Sequence, residues 1–205
     1  MVHADASTFS SGVTKEEAYE QVLMQAEGLC YEQRNWVCNL ANAASLLWHA
    51  YKSMPGASAE VNWAGFYTLD PLSVSPPPPN PPTTSTTPSP SQPQEQPPKP
   101  KTPQLILAPF QGAVACQTIA FGRGVCGTAA LTQTTQVVPD VRAFPGHIAC
   151  DARSLSEIVV PIVVDGRTVA IIDVDCAVVG GFDEVDRKWL EKLGGLLGGG
   201  CDWPC

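Results

Sequence analysis

Twenty of the 205 residues are proline, about twice the usual share, and fourteen of those lie between Pro71 and Pro103. The eight cysteines are too sparse for a disulfide-framed mini-protein. A net charge of −8 with a pI near 4.7 argues against a nucleic-acid or anionic-membrane surface, since both need clustered Lys and Arg.

The opening MVHADASTFSSG has neither a basic nor an apolar stretch, so residues 1–12 read as a disordered polar leader and not a secretory signal. No run reaches the roughly 18 apolar residues of a membrane span. The cysteines are therefore expected in a reducing compartment, where they are catalytic, metal-bound or buried. Thr14 is placed to cap a helix, with Glu16 and Glu17 at its positive end and Tyr19, Val22, Leu23, Ala26 and Leu29 at helical spacing. A second helix is predicted from about Gln33 to Lys52, on the stripe Trp36, Leu40, Ala43, Ala44, Leu47 and Tyr51. From Ala59 the pattern alternates, and Val61, Trp63, Gly65, Tyr67 and Leu69 are predicted to share one face of a strand.

The window 71–103 has no aromatic residue and three charges, Glu95, Lys99 and Lys101. It reads as an extended, disordered insertion. Two helices and one strand precede it, too little to close a sheet. An insertion within a hairpin, from a strand ending near Leu69 to one starting at Gln104, fits better than a linker between domains. Such an insertion costs little, because loop-closure entropy grows only logarithmically with length.

Further strands are predicted at LILAPF, Ala115 to Ala120, Thr135 to Val138, Glu157 to Val164 and Arg167 to Cys176, with a short helix from Val125 to Gln133. Asp165-Gly166 is a strong hairpin turn. Asp183 caps a last helix that Gly194-Gly195 should close near Leu193. Residues 197–205 read as a flexible Gly/Cys tail. The expectation is a single α+β domain over residues 13–196, an antiparallel sheet of about six strands with N- and C-terminal helices packed on one face.

Three cysteines have chemical settings: Cys116 in a strand, Cys126 after the turn GRGVCG, and Cys150 in the loop FPGHIACDA. A protonated His147 would lower the thiol pKa of Cys150. Small buried hydrophobes are the competing reading. No C-x2-C pair exists, so a structural zinc is not expected. Asp173 and Asp175 share a strand face among Val and Ile; they are either paired or used there, or solvated at an edge. In a regular hairpin Val164 pairs with Arg167, which sets Glu157 opposite Val174 and turns it away from both aspartates. A bulge would reverse that. Cys30 and Cys38 read as packing residues of the first two helices.

ACQTIAFGRGVCGTAA, VVPDVRAFPGHIACDARSLSEIVVPIV and AIIDVDC, with NWAGFYTLD and LAPFQG upstream, resemble the free-methionine-(R)-sulfoxide reductases, enzymes on the GAF-domain fold. The resemblance runs from about Lys15 to Leu193. It implies reduction of free methionine-(R)-sulfoxide with thioredoxin as external reductant and no bound cofactor or metal. It places the attacking thiol at Cys150, the main resolving thiol at Cys116 and a third active-site thiol at Cys126. The carboxylates that hold substrate and assist protonation fall on Glu157, Asp173 and Asp175, and the pocket aromatics on Trp63 and Tyr67. It further implies a homodimer and a cytoplasmic, or also nuclear, role in oxidative stress. The rival is a non-enzymatic GAF module that binds a small ligand or senses redox state.

Overall fold

The computed structural model describes residues 9, 12–74, 102–146 and 152–204. The chain begins with helices α1 (Lys15–Cys30) and α2 (Trp36–Ser53), and strand β1 (Val61–Leu69) leads to a single turn, α3 (Pro71–Val74). Strands β2 (Gln104–Gly112) and β3 (Thr118–Ala120), helix α4 (Gly124–Thr132) and strand β4 (Gln136–Val138) follow. The hairpin β5 (Ser156–Val164) and β6 (Arg167–Cys176) and helix α5 (Glu184–Gly200) complete the fold. Every strand pair is antiparallel, in the order β3-β2-β1-β6-β5-β4.

The anticipated α+β architecture is present, with α1, α2 and α5 on one face. Ala64, Phe66, Ile158, Val160, Ile172 and Val174 pack there against Leu40, Leu47, Leu190 and Leu193. Thr14 forms a full capping box with Glu17, while α2 starts at Trp36, three residues later than predicted, because Asn35 is its cap. α1 and α5 are tied by Asp186, which is fully buried. It accepts from Lys15 Nζ at 2.7 Å, from Tyr19 Oη at 2.8 Å and from the Asp183 amide at 2.8 Å.

β1 and β2 form a hairpin with Leu69 opposite Leu105. The first turn of the proline-rich window is regular helix, contrary to the expectation of disorder from residue 71. Pro71 fits the first helical position, the Asp70 carboxylate accepts from the Leu72 amide, and the Ser73 hydroxyl accepts from the Gln104 amide. Residues 75–101 and the leader 1–8 lie outside the described residues. β1 is buried on both faces, and Val61 joins the helix-side core while Trp63 faces the other way. A register shift between them against β6 carries the chain from one face to the other. Cys116 lies in the irregular segment before β3 and not in a strand.

α5 does not stop at Gly194-Gly195 but continues to Gly200. Gly194 and Gly198 face the sheet, where an added Cβ would stand 3.6 Å from Val160 Cγ1 and 3.4 Å from Ile162 Cγ2 respectively. The glycines let the helix approach β5 closely. The predicted flexible tail is instead packed: Cys201 is buried, Asp202 bridges to Asn35, and Trp203 Nε1 donates to the Gly198 carbonyl. Cys30 packs beside Gly200, whereas Cys38 is exposed, so packing does not account for it. The space at Gly194 admits one methyl and no more. Gly194→Ala is expected to raise unfolding free energy by about 0.5–1 kcal/mol through helix propensity, and Gly194→Leu to lower it by about 1–3 kcal/mol through overpacking. Urea titrations of both variants check the pair.

Candidate active site

The second face of the sheet is built by two cross-strand rows. Trp63 pairs with Asp175, and Asp175 pairs in turn with Glu157; beside them Gly65 pairs with Asp173, and Asp173 with Val159. Directly opposed residues share a face, so Glu157, Asp173, Asp175 and Trp63 project together. A regular hairpin would have turned Glu157 away. The turn is as expected, with positive φ at both Asp165 and Gly166 and Val164 opposite Arg167. Between Ile162 and Val163 the register then slips, because Val163 pairs with Thr168 and Ile162 with Ala170. Val169 is the extra residue. Val169 and Ala170, consecutive in sequence, both enter the helix-side core, while the Thr168 hydroxyl donates to the Ala130 carbonyl on the other side.

α4 covers this second face. The turn Phe121–Arg123 brings its start against the sheet, and Gly127 is required there, because a Cβ would collide with the Ala120 carbonyl. The helix thereby sets Cys126 over the carboxylates, its Sγ donating to Glu157 Oε1 at 3.3 Å. Trp63 stacks on Tyr67 and Phe110 with centroids 5.8 and 5.3 Å away, and its Nε1 donates to the Ala113 carbonyl. Gly65 leaves room for that stack, since a Cβ would clash with Phe110 and lie 2.9 Å from the indole.

These groups line one cavity of about 340 Å³, within the range of small-molecule sites. Seven of the residues singled out from sequence line it: Trp63, Tyr67, Cys116, Cys126, Glu157, Asp173 and Asp175. Cys150 and His147 lie outside the described residues. Gln104, Arg123 and Ser154 line the cavity too and were not anticipated. Arg123 stood in the noted GRGVCG turn, whereas Ser154, which accepts from Asn62 Nδ2 at 3.1 Å, carries no local signal. Cys116 is disulfide-bonded, while Cys30, Cys38, Cys126, Cys176 and Cys201 are free.

Burial dominates the electrostatics. It raises Glu157 well above the carboxylate range, reinforced by the charges of Asp173 and Asp175. Burial likewise pushes Asp173 up to about 7, and pushes the Cys126 thiol well above its ordinary value with help from Asp173, Glu157 and Asp175. Near neutral pH the cluster therefore retains protons that exposed carboxyl groups would have lost. Cys126 is a thiol and a hydrogen-bond donor rather than a nucleophilic thiolate. Folding raises the Asp173 pKa from 3.8 to about 7, so the folded chain binds more protons across that window. Stability must fall as pH rises through it. Asp173→Asn, which cannot ionise, is expected to gain stability relative to the wild type as pH goes from about 5 to about 8. Urea midpoints that stay equally separated at both ends would contradict this.

The GAF domain family matches residues 94–199. A free methionine-R-sulfoxide reductase of Saccharomyces cerevisiae is 50% identical over 200 residues, covering 97% of this chain and 94% of that protein. One of Escherichia coli is 33% identical over 181 residues, 88% and 87% of the two chains. The structure of a free methionine-R-sulfoxide reductase from Neisseria meningitidis, in complex with its substrate, superposes with a TM-score of 0.74 at 36% identity. That match covers 97% of this chain and 95% of the other. With the carboxylates, the aromatic wall and the pocket cysteines in place on this sheet, the chain belongs to the GAF-domain family of free methionine-R-sulfoxide reductases.

Proposed function

We propose that the chain reduces free methionine-(R)-sulfoxide to methionine in this cavity, with Cys150 as nucleophile, Cys116 as resolving thiol and thioredoxin as reductant. The observation that carries the reading is a disulfide-bonded Cys116 in the wall of a pocket whose floor holds Glu157, Asp173 and Asp175. A sulfoxide sulfur is electrophilic when its oxygen is protonated or strongly hydrogen-bonded. A carboxyl group that keeps its proton near neutral pH suits that task, and Glu157 and Asp173 are both held in that state by burial.

The Cys150 thiolate attacks sulfur while the acid protonates oxygen. The protonated oxygen then passes from the substrate sulfur to the Cys150 sulfur: the new S–S link and the substrate S–O bond break, methionine leaves, and Cys150 is left as a sulfenic acid. The Cys116 thiol condenses with it, releasing water and forming the Cys116–Cys150 disulfide. A dithiol then reopens that disulfide by exchange and is itself oxidised. Cys126 suits the resolving role less well, because its thiol is pushed up by burial and committed to Glu157.

The carboxyl oxygens of the floor can accept hydrogen bonds from the substrate ammonium, and Trp63 can cover its methyl group. Methionine within a polypeptide lacks the ammonium, which favours the free amino acid. The proposed homodimer would meet through α1 and α2, and the exposed Met24, Tyr31 and Val37 support that choice. A Met24→Glu chain is expected to sediment as a monomer, and an unchanged dimer would move the contact elsewhere.

Turnover of free methionine-(R)-sulfoxide with thioredoxin and its reductase tests the chemistry. Cys150→Ser should be inactive, and Cys116→Ser should yield about one methionine per chain before stalling. Wild-type turnover in Cys150→Ser would refute the assignment, and normal recycling in Cys116→Ser would move the resolving role to Cys126.

A further inference from the structure

Three donors meet on the pocket floor from elements remote in sequence: Cys126 of α4, Glu157 of β5 and Asp173 of β6. One ligand-capable atom of each lies within 4.8 Å of the other two, and all three residues are buried. The Cys126 sulfur already touches Glu157 Oε1 at 3.3 Å. Asp173 adds a separate observation. It is 5% exposed, yet its Oδ1 has no hydrogen-bond partner. A buried oxygen in that state costs stability until a cation or donor reaches it. Arg123 is the basic side chain among the described residues lining the cavity, against the acidic side chains of Glu157, Asp173 and Asp175, so a cation that displaces their protons gains anionic oxygen ligands.

We propose that Cys126, Glu157 and Asp173 form a reversible site for a borderline-soft divalent cation, Zn(II), which inhibits by occupying the floor that receives the substrate ammonium. That last clause rests on the reductase reading; the cation site itself does not. Magnesium and calcium prefer six or more oxygen ligands and gain nothing from sulfur. One thiolate and two carboxylates match Zn(II), with Zn–S near 2.3 Å and Zn–O about 2.0–2.2 Å. A tetrahedral set needs its donors roughly 3–4 Å apart, so donors already within 4.8 Å of one another have about 1 Å to close. The fourth position opens to the cavity, as in zinc sites that exchange a ligand. Binding releases the Cys126 proton, and any proton on the two carboxyl groups, to solvent; no electrons move. No sequence motif reveals the site, because its donors are not close along the chain.

The test titrates the reduced full-length protein with Co(II) under anaerobic conditions. A sulfur-to-cobalt charge-transfer absorption should saturate at about one ion per chain and be displaced by Zn(II) and by free methionine sulfoxide. Cys126→Ser should abolish the band, Asp173→Asn should weaken binding at least about tenfold, and Cys38→Ser and Cys116→Ser should leave it intact. Zn(II) should raise the apparent KM for the sulfoxide without lowering kcat. The proposal is overturned if the band survives Cys126→Ser or disappears in Cys38→Ser or Cys116→Ser. If Cys126→Ser does not fold, Asp173→Asn decides, because it keeps the thiol, and unchanged binding there refutes the site. A Co(II) band in a chain without reductase activity would sink the reductase reading and keep the cation site. Full activity with no band would do the reverse.

Discussion

Three carboxyl groups share one face of the central strands beneath a thiol of α4, and burying this cluster is the constraint around which the domain is arranged. Two of the acids, Glu157 and Asp173, are almost wholly withdrawn from water. An ionised carboxylate in such surroundings is costly, and the group answers by keeping its proton. Both acids are raised for that reason first. The sheet imposes the geometry. Trp63, Asp175 and Glu157 stand in one row across three strands, and Gly65, Asp173 and Val159 in the next. Nothing in the loops has to be ordered for that arrangement to exist.

The same strands supply the stability that such a face uses up. Alternate residues Ile158, Val160, Ile172 and Val174 lie under α1, α2 and α5 in the larger core. The polar face is thus the reverse side of the most apolar part of the molecule. Helix α4 closes the polar face with small residues, Gly127, Ala129 and Ala130, so that it can lie close to the sheet. Strand pairing explains why the long segment between β1 and β2 is tolerated. It enters and leaves at one end of a paired hairpin, Leu69 opposite Leu105, so β1 and β2 pair without it, and Gln104 at its exit lines the cavity.

Much of this was legible in the sequence, and the exceptions have local causes. The helix cap at Thr14, the alternation from Trp63 to Tyr67 and the Asp-Gly turn each follow from neighbouring residues, and they stand as expected. Whether Glu157 joins the aspartates depended on a bulge at Val169, which fills the helix-side core while Thr168 reaches α4. That is a tertiary condition no short window contains. Gly194-Gly195 has the composition of a helix stop, yet Gly194 faces the sheet and the helix runs on. The order of the tail likewise depends on partners far away, since Arg34 pairs with Asp202 and Asn39 donates toward Cys201.

The cysteines make the same point about chemistry. Asp175 and Cys176 are adjacent, but strand alternation sends the carboxylate to the cavity and the thiol to the helix-side core, where its Sγ donates to the Ala57 carbonyl. Burial raises Cys176 as it raises Cys126. What separates the two thiols is therefore not burial, which is common to both, but what each faces. Cys126 sits against carboxyl groups that open onto a ligand-sized cavity, and Cys176 against a backbone carbonyl in a closed core. A raised thiol pKa alone marks an inert residue; beside acids in an open pocket it marks a proton donor and, once deprotonated by a cation, a ligand.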